Sequence, residues 1–249
     1  MRKSVLSKGY TGKYIKYAVG EIILVVIGIL IALQINNWNE ERKGNAELNQ
    51  YLFSLRDNLS SDIKILDSLI ERRTITVANC KKEQLNFLNK TYDFYDTRFA
   101  LYSYLDFYFK PNTSAYDALK SSPYLGKING SDLNDLIIEY YAKTNQIAES
   151  EKSYNEYVED LEAKLAYDQD RTLMLAFIWM DPDELGATKT TEEEIQKVFK
   201  ELHETVAFRN IVSHGVSQEK NIIVPYRQAR QIGMEIINQI GAQSDYGVK

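Results

Sequence analysis

Twelve consecutive residues without a polar side chain, Ile22 to Leu33, stand near the start of the chain. Gly20-Glu21 precedes them, and Gln34-Ile35-Asn36-Asn37-Trp38-Asn39-Glu40 follows. From Tyr17 to Trp38 is 22 residues, about 33 Å of helix at 1.5 Å per residue. A hydrocarbon layer is about 30 Å thick. A run that is apolar on every side suits lipid better than a half-buried helix surface. Beyond it the pattern takes a helical period. Leu48, Leu52, Leu55, Leu59, Ile63, Leu66, Ile70, Val77, Leu85 and Leu88 step by three, four or their sums. This spacing predicts a long amphipathic helix. It continues directly from the apolar segment, because no proline intervenes and Gly44 is the only breaker.

The next stretch, Tyr92 to Gly130, is crowded with aromatics and then broken by Pro111, Pro123, Gly126 and Gly130. It predicts short helices and turns, with a helix start at Asn112-Thr113-Ser114. A second long helix is expected from Ser131. Ile137, Tyr141, Ile147, Tyr154, Val158, Leu161 and Leu165 form its buried stripe, extending toward Trp179. Thr191 and Glu194 have capping-box spacing for a further helix. Gly215 and Pro225 are expected to break or kink that helix. Ile232, Ile236 and Ile240 mark a last helical segment. No strand-like alternation competes. The predicted class is all-α: one N-terminal transmembrane helix, then an elongated bundle of about four main helices. Its parts are a basic segment at 1–16, a transmembrane helix at 17–38 and a helical-bundle domain at 39–249.

Charge gives the apolar segment a direction. Residues 1–20 hold Arg2, Lys3, Lys8, Lys13 and Lys16 and no acid. Residues 22–249 hold 25 basic against 34 acidic residues. The positive-inside rule then places the N-terminus in the cytoplasm, and Tyr14, Tyr17 and Trp38 serve as interface anchors. No small-residue cleavage site follows Leu33, which argues against a cleaved signal peptide. The expected location is the inner membrane, single pass, with the C-terminal domain in the periplasm. The acidic body argues against a nucleic-acid partner.

Candidate chemistry changes little. Catalytic and phosphate-binding sequence motifs are missing, so no enzyme, metal or cofactor is expected. Cys80, the single cysteine, reads as an inert helical thiol. His203 and His214 are not at metal-ligand spacing. The acidic run Asp181-Pro182-Asp183-Glu184 lacks the pattern of a calcium loop. Two partner surfaces are more informative. Glu21, Gly28, Ala32 and Asn39 share one face of the apolar helix, and Gly28-x-x-x-Ala32 is a small-residue pair that lets spans approach closely. Glu21 is either an acid at the cytoplasmic interface or one edge of a contact with another span. Tyr102, Tyr104, Phe107 and Tyr108 form the candidate partner surface on the body.

The stretch YAVGEIILVVIGILIALQINNWNE resembles the hallmark of a widespread family of uncharacterised single-span proteins from Bacteroidota, as do AYDALKSSPYLGKI and LIIEYY further on. Ser121-Ser122-Pro123 stands where members commonly carry Ser-Ser-Gly. The resemblance implies a Gram-negative, periplasm-facing membrane protein and carries no activity. The expected role is therefore a non-enzymatic, membrane-anchored interaction protein, an accessory or scaffold subunit of an envelope complex. Its partners would be other membrane or periplasmic proteins, or a second copy of the chain. The alternatives are a helical-bundle sensor signalling through a partner and, more remotely, an oligomeric ion-conducting or motor component using Glu21.

Overall fold

The computed structural model describes residues 11–168, 171, 172, 174, 176, 186 and 190–246. Every regular element among them is helical. Helix α1 spans Thr11–Asn89, 79 residues without interruption, about 120 Å from end to end. Its first part has no packing partner: the apolar run is exposed throughout, and the helix is long and apolar enough to cross a membrane. Burial begins at Gly44 and continues through Leu48, Leu52, Leu55, Leu59 and Leu66. Gly44 does not break the helix. A Cβ there would lie 3.0 Å from Lys127 Nζ and 3.4 Å from the Tyr124 ring. The glycine lets the turn at Leu125–Lys127 close onto α1, and Lys127 Nζ donates to Asn45 Oδ1 at 2.7 Å.

Short elements follow: α2 (Phe94–Ala100), a 3₁₀ turn (Leu101–Tyr104) and α3 (Ser114–Ser121). Helix α4 spans Asp132–Asp168 and buries Ile137, Tyr141, Ile147, Tyr154, Val158 and Leu165. Helix α5 (Glu192–Glu204) opens with the full capping box of Thr191 and Glu194. Helix α6 (Val206–Gln218) passes through a π-turn, Glu219–Ile223, directly into α7 (Val224–Tyr246). The expected extension to Trp179 and the acidic run Asp181–Glu184 fall outside the described residues.

Among the described residues the body is built chiefly on α1, α4 and the α6–α7 stretch, with α5 as a further helix. Helix α1, from Gly44 onward, packs along both α6 and α7, and α4 packs against the same pair. Neither Gly215 nor Pro225 ends the helix it stands in, and each has a physical reason. A Cβ at Gly215 would lie 2.6 Å from Cys80 Sγ and 3.3 Å from Ser103 Cβ. The glycine is therefore the point where α6 approaches α1, not a breaker. A proline ring collides with the carbonyl four residues earlier in a regular helix. Here that residue, Asn221, lies in the π-turn, where Val224 N–H reaches back five residues to the Glu219 carbonyl. The wider turn admits Pro225 without ending the helix.

One part of the predicted stripe also needs correction. Leu85 and Leu88 are exposed. Past Val77 the buried face of α1 runs through Cys80 and Glu83 instead. Glu83 occupies a core position because it is fully partnered there. Its carboxylate accepts from Thr97 Oγ1 at 2.7 Å and from Asn86 Nδ2 at 3.0 Å, and sits 2.8 Å from His203 Nδ1.

Candidate functional site

Nine residues between the 3₁₀ turn and α3, Leu105 to Thr113, have no regular structure, yet they lie against the bundle. A backbone without helical bonds needs other partners when buried. Three charged side chains from the long helices supply them. Glu151 of α4 accepts from Phe109 N–H with both oxygens, at 3.0 and 3.1 Å. Asp62 of α1 accepts from Asn112 N–H at 3.0 and 3.2 Å, and from Tyr140 Oη at 2.9 Å. Arg73 of α1 donates through Nη2 to the Phe107 carbonyl at 2.7 Å. The segment is a strap, and these residues are its fastenings.

Arg73 and Glu151 are each 0 % exposed, so their charges answer to each other and to nearby dipoles. Arg73 Nη2 lies 4.0 Å from Glu151 Oε1. Arg73 also donates to Tyr226 Oη at 3.1 Å and to Gln218 Oε1, while the Tyr226 hydroxyl donates to Glu151. The guanidinium sits 5.5 Å from the Phe107 ring centroid, 5.9 Å from Tyr154 and 5.7 Å from Tyr226, within the range of cation–π attraction. Burial pushes the Glu151 carboxyl above its ordinary value, opposed by the Tyr226 hydroxyl, the Phe109 N–H and Arg73. Burial does the same at Asp62, against Asn112 N–H and Tyr140. One network therefore joins α1, α4, α6, α7 and the strap.

On its outer side the strap makes a surface. Leu105 and Phe107 with Tyr102 and with Arg72, Ile75 and Thr76 of α1 line an apolar groove of about 200 Å³. Phe99 stands 6.2 Å from Tyr102 and 6.5 Å from Tyr95, ring to ring, so an aromatic row leads into the groove. Among the four aromatics expected to form a partner surface, Tyr102 and Phe107 line this groove and Tyr108 is exposed. Tyr104 belongs to the core. It is 9 % exposed and stacks on Phe208 with centroids 6.4 Å apart. Tyr102, two residues earlier, is only half-buried, so the two rings part between the groove and the core.

Along the apolar part of α1, Glu21, Gly28 and Ala32 are exposed and Asn39 is half-buried. A Cβ at Gly28 would meet nothing within 4 Å. Tyr14, Tyr17 and Trp38 are exposed near the two ends, and the Arg42 guanidinium lies 5.4 Å from the Trp38 ring. Cys80 is buried against α6, and burial pushes its thiol up to about 12, which keeps it protonated and unreactive.

A second, polar cleft of about 290 Å³ opens where α4 meets the π-turn, with Ser150, Ser153, His214, Ser217 and Asn221 on its walls. The His214 ring is stacked on Tyr154 at 5.1 Å and lies 4.4 Å from Tyr157. Burial lowers the His214 pKa from 6.5. The folded protein then favours the neutral ring, while the unfolded chain takes up a proton near 6.5. Stability from this group is complete above that value and is lost as pH falls through it toward the lower folded value. In urea melts, the wild type is expected to lose more of its advantage over His214→Gln between about pH 7.5 and about pH 5.5. A pH-independent difference between the two would contradict this.

Sequence reasoning missed the network because it searched for known motifs. A signal was present nonetheless. Asp62, Arg73 and Glu83 on α1, and Glu151 on α4, stand in phase with the apolar stripes: Leu55-Leu59-Asp62-Leu66, Leu66-Ile70-Arg73-Val77-Cys80-Glu83 and Ile147-Glu151-Tyr154-Val158.

Comparison with curated proteins and with solved structures found no match. A family model does match over residues 21–165, that of a family of unknown function (DUF6090). The matched span begins at Glu21 in the apolar segment and reaches Leu165 of α4, taking in the strap, its groove and the residues Asp62, Arg73 and Glu151. Covering more than half of the 249 residues, the match shows that the chain belongs to this family of unknown function, DUF6090.

Proposed function

We propose that this protein is a non-enzymatic, membrane-anchored interaction protein, with α1 crossing the bilayer and carrying the bundle as an accessory or scaffold subunit of an envelope complex. The observation that carries this reading is the continuity of α1. One helix supplies both the exposed apolar run and the core leucines, so a body docked on a partner is held at a fixed height and rotation relative to the bilayer. The basic residues before the run and the acids after it support a cytoplasmic N-terminus and a bundle on the far side. The buried charges support binding over catalysis, because they bond to the chain's own strap and shape a surface with it.

The test is purification of the full chain in mild detergent, with bound proteins identified by mass spectrometry. A stoichiometric partner is expected. Gly28→Leu is expected to remove a partner that contacts the span, since a Cβ there meets nothing within 4 Å and the longer side chain would act on an outside contact. Recovery of the protein alone and monomeric would overturn the reading.

The cleft at the π-turn favours a second reading, a sensor that signals through a partner. Single π-turns inside helices are frequent at functional sites, and this one lies at the joint between α6 and α7 beside His214.

A further inference from the structure

We propose that the groove between α1 and the strap is the docking site for one large apolar side chain of a partner protein, with a carboxylate of that partner beside it. This rests on the interaction reading and names its surface. The groove of about 200 Å³ is below the range of about 300–1,000 Å³ usual for cofactors and drug-sized ligands. It matches a single anchor residue, the commonest centre of a protein–protein contact. Its walls are apolar at some cost. Ile75 is 50 % exposed and Phe99 40 %, and contiguous exposed apolar surface of this kind marks an interaction site.

The rim supplies the charge. Arg72 is exposed, its guanidinium lies 6.0 Å from the Phe107 ring, and it has no ion-pair partner among the described residues. Asp106, beside Phe107 on the strap, interacts instead with Arg73 and Glu162. A guanidinium resting on an aromatic face keeps its donors turned outward, ready for a carboxylate.

Other occupants fit less well. Ile75 is 37 residues beyond Trp38 on one continuous helix, about 55 Å along its axis. The lipids of the host bilayer cannot reach that far. A second copy docked groove to groove would bring two Arg72 side chains together, and like charges in an interface are disfavoured.

The experiment places photoreactive benzoylphenylalanine at Phe99, at the groove's entrance, in the full chain in its native membrane. The expected result is a protein adduct whose cross-linked peptide carries a large apolar residue next to Asp, Glu or a C-terminal carboxylate. Arg72→Glu should reduce its yield at least about tenfold and Arg72→Lys should retain it. Ile75→Ser, at another exposed position, should reduce it as well. No adduct, an adduct only with lipid, with a second copy or with the chain itself, a cross-linked peptide without an acid, or indifference to Arg72→Glu would each overturn the proposal. If Arg72→Glu still co-purifies with the full set of partners, the interaction reading stands and only the groove falls. If the wild type has no partner, both fall.

Discussion

Arg73→Met is expected to lower the unfolding free energy by about 3–5 kcal/mol, the usual cost of removing one member of a buried ion pair. The substitution keeps most of the volume but deletes every donor. Glu151 is then left without its cation at 0 % exposure, the Phe107 carbonyl loses the donor at 2.7 Å, and Gln218 and Tyr226 lose theirs. Urea denaturation of the full chain in mild detergent, followed by circular dichroism, reads the loss. Glu151→Gln in the same background should cost less than it does alone, because the two residues are directly coupled. Additive effects would mean that the pair is not a unit. Hydrogen exchange adds a local readout. The Phe109 and Asn112 amides, held by Glu151 and Asp62, should lose protection before the core of α1 does. A strap that stays protected in Arg73→Met would show that the fastening lies elsewhere.

The second large effect is expected at Gly215. Gly215→Ala should destabilise by about 1–3 kcal/mol, the range for overpacking a filled core. Helix propensity alone would favour alanine by about 1 kcal/mol, so the sign of the result is decisive. The obstacle is specific: the new Cβ would lie 2.6 Å from Cys80 Sγ, on a buried cysteine that cannot swing into solvent. Cys80→Ala removes that sulfur and should recover most of the loss in the double variant. A stabilising Gly215→Ala, or a loss untouched by Cys80→Ala, would contradict the close packing of α6 on α1.

Much of the architecture was legible because its causes are local. The run from Ile22 to Leu33, the stripe from Leu48 to Leu66 and the Thr191 cap each depend on residues within a few turns of one another. Most of what was not legible depends on two elements at once. Gly215 and Pro225 look alike in sequence, as breakers, but one is a contact with Cys80 and the other is absorbed by a π-turn. Arg73 and Glu151 look like ordinary surface charges until their phase in the stripe is noticed. Their partners, Phe107, Phe109, Gln218 and Tyr226, are 34 to 153 residues away in the chain. The groove beside the strap was half legible for the same reason. Composition located the aromatics between Tyr92 and Phe109, but only packing against distant elements decides that Tyr104 meets Phe208 in the core while Tyr102 and Phe107 face the groove.

The direction of the charge asymmetry and the packing face proposed at Gly28 and Ala32 bear on how the body would be used. The continuity of α1 bears on whether it can be used that way at all. It is tested by spin labels at Leu30 and Lys64, in a Cys80→Ala chain reconstituted into lipid nanodiscs, with the distance read by pulsed electron resonance. The two sites are 34 residues apart, on either side of Gly44. The account predicts incorporation into the nanodisc and a single narrow distribution near about 51 Å, 1.5 Å for each residue. A broad distribution, a centre well below that distance, or a chain that stays out of the lipid would contradict it.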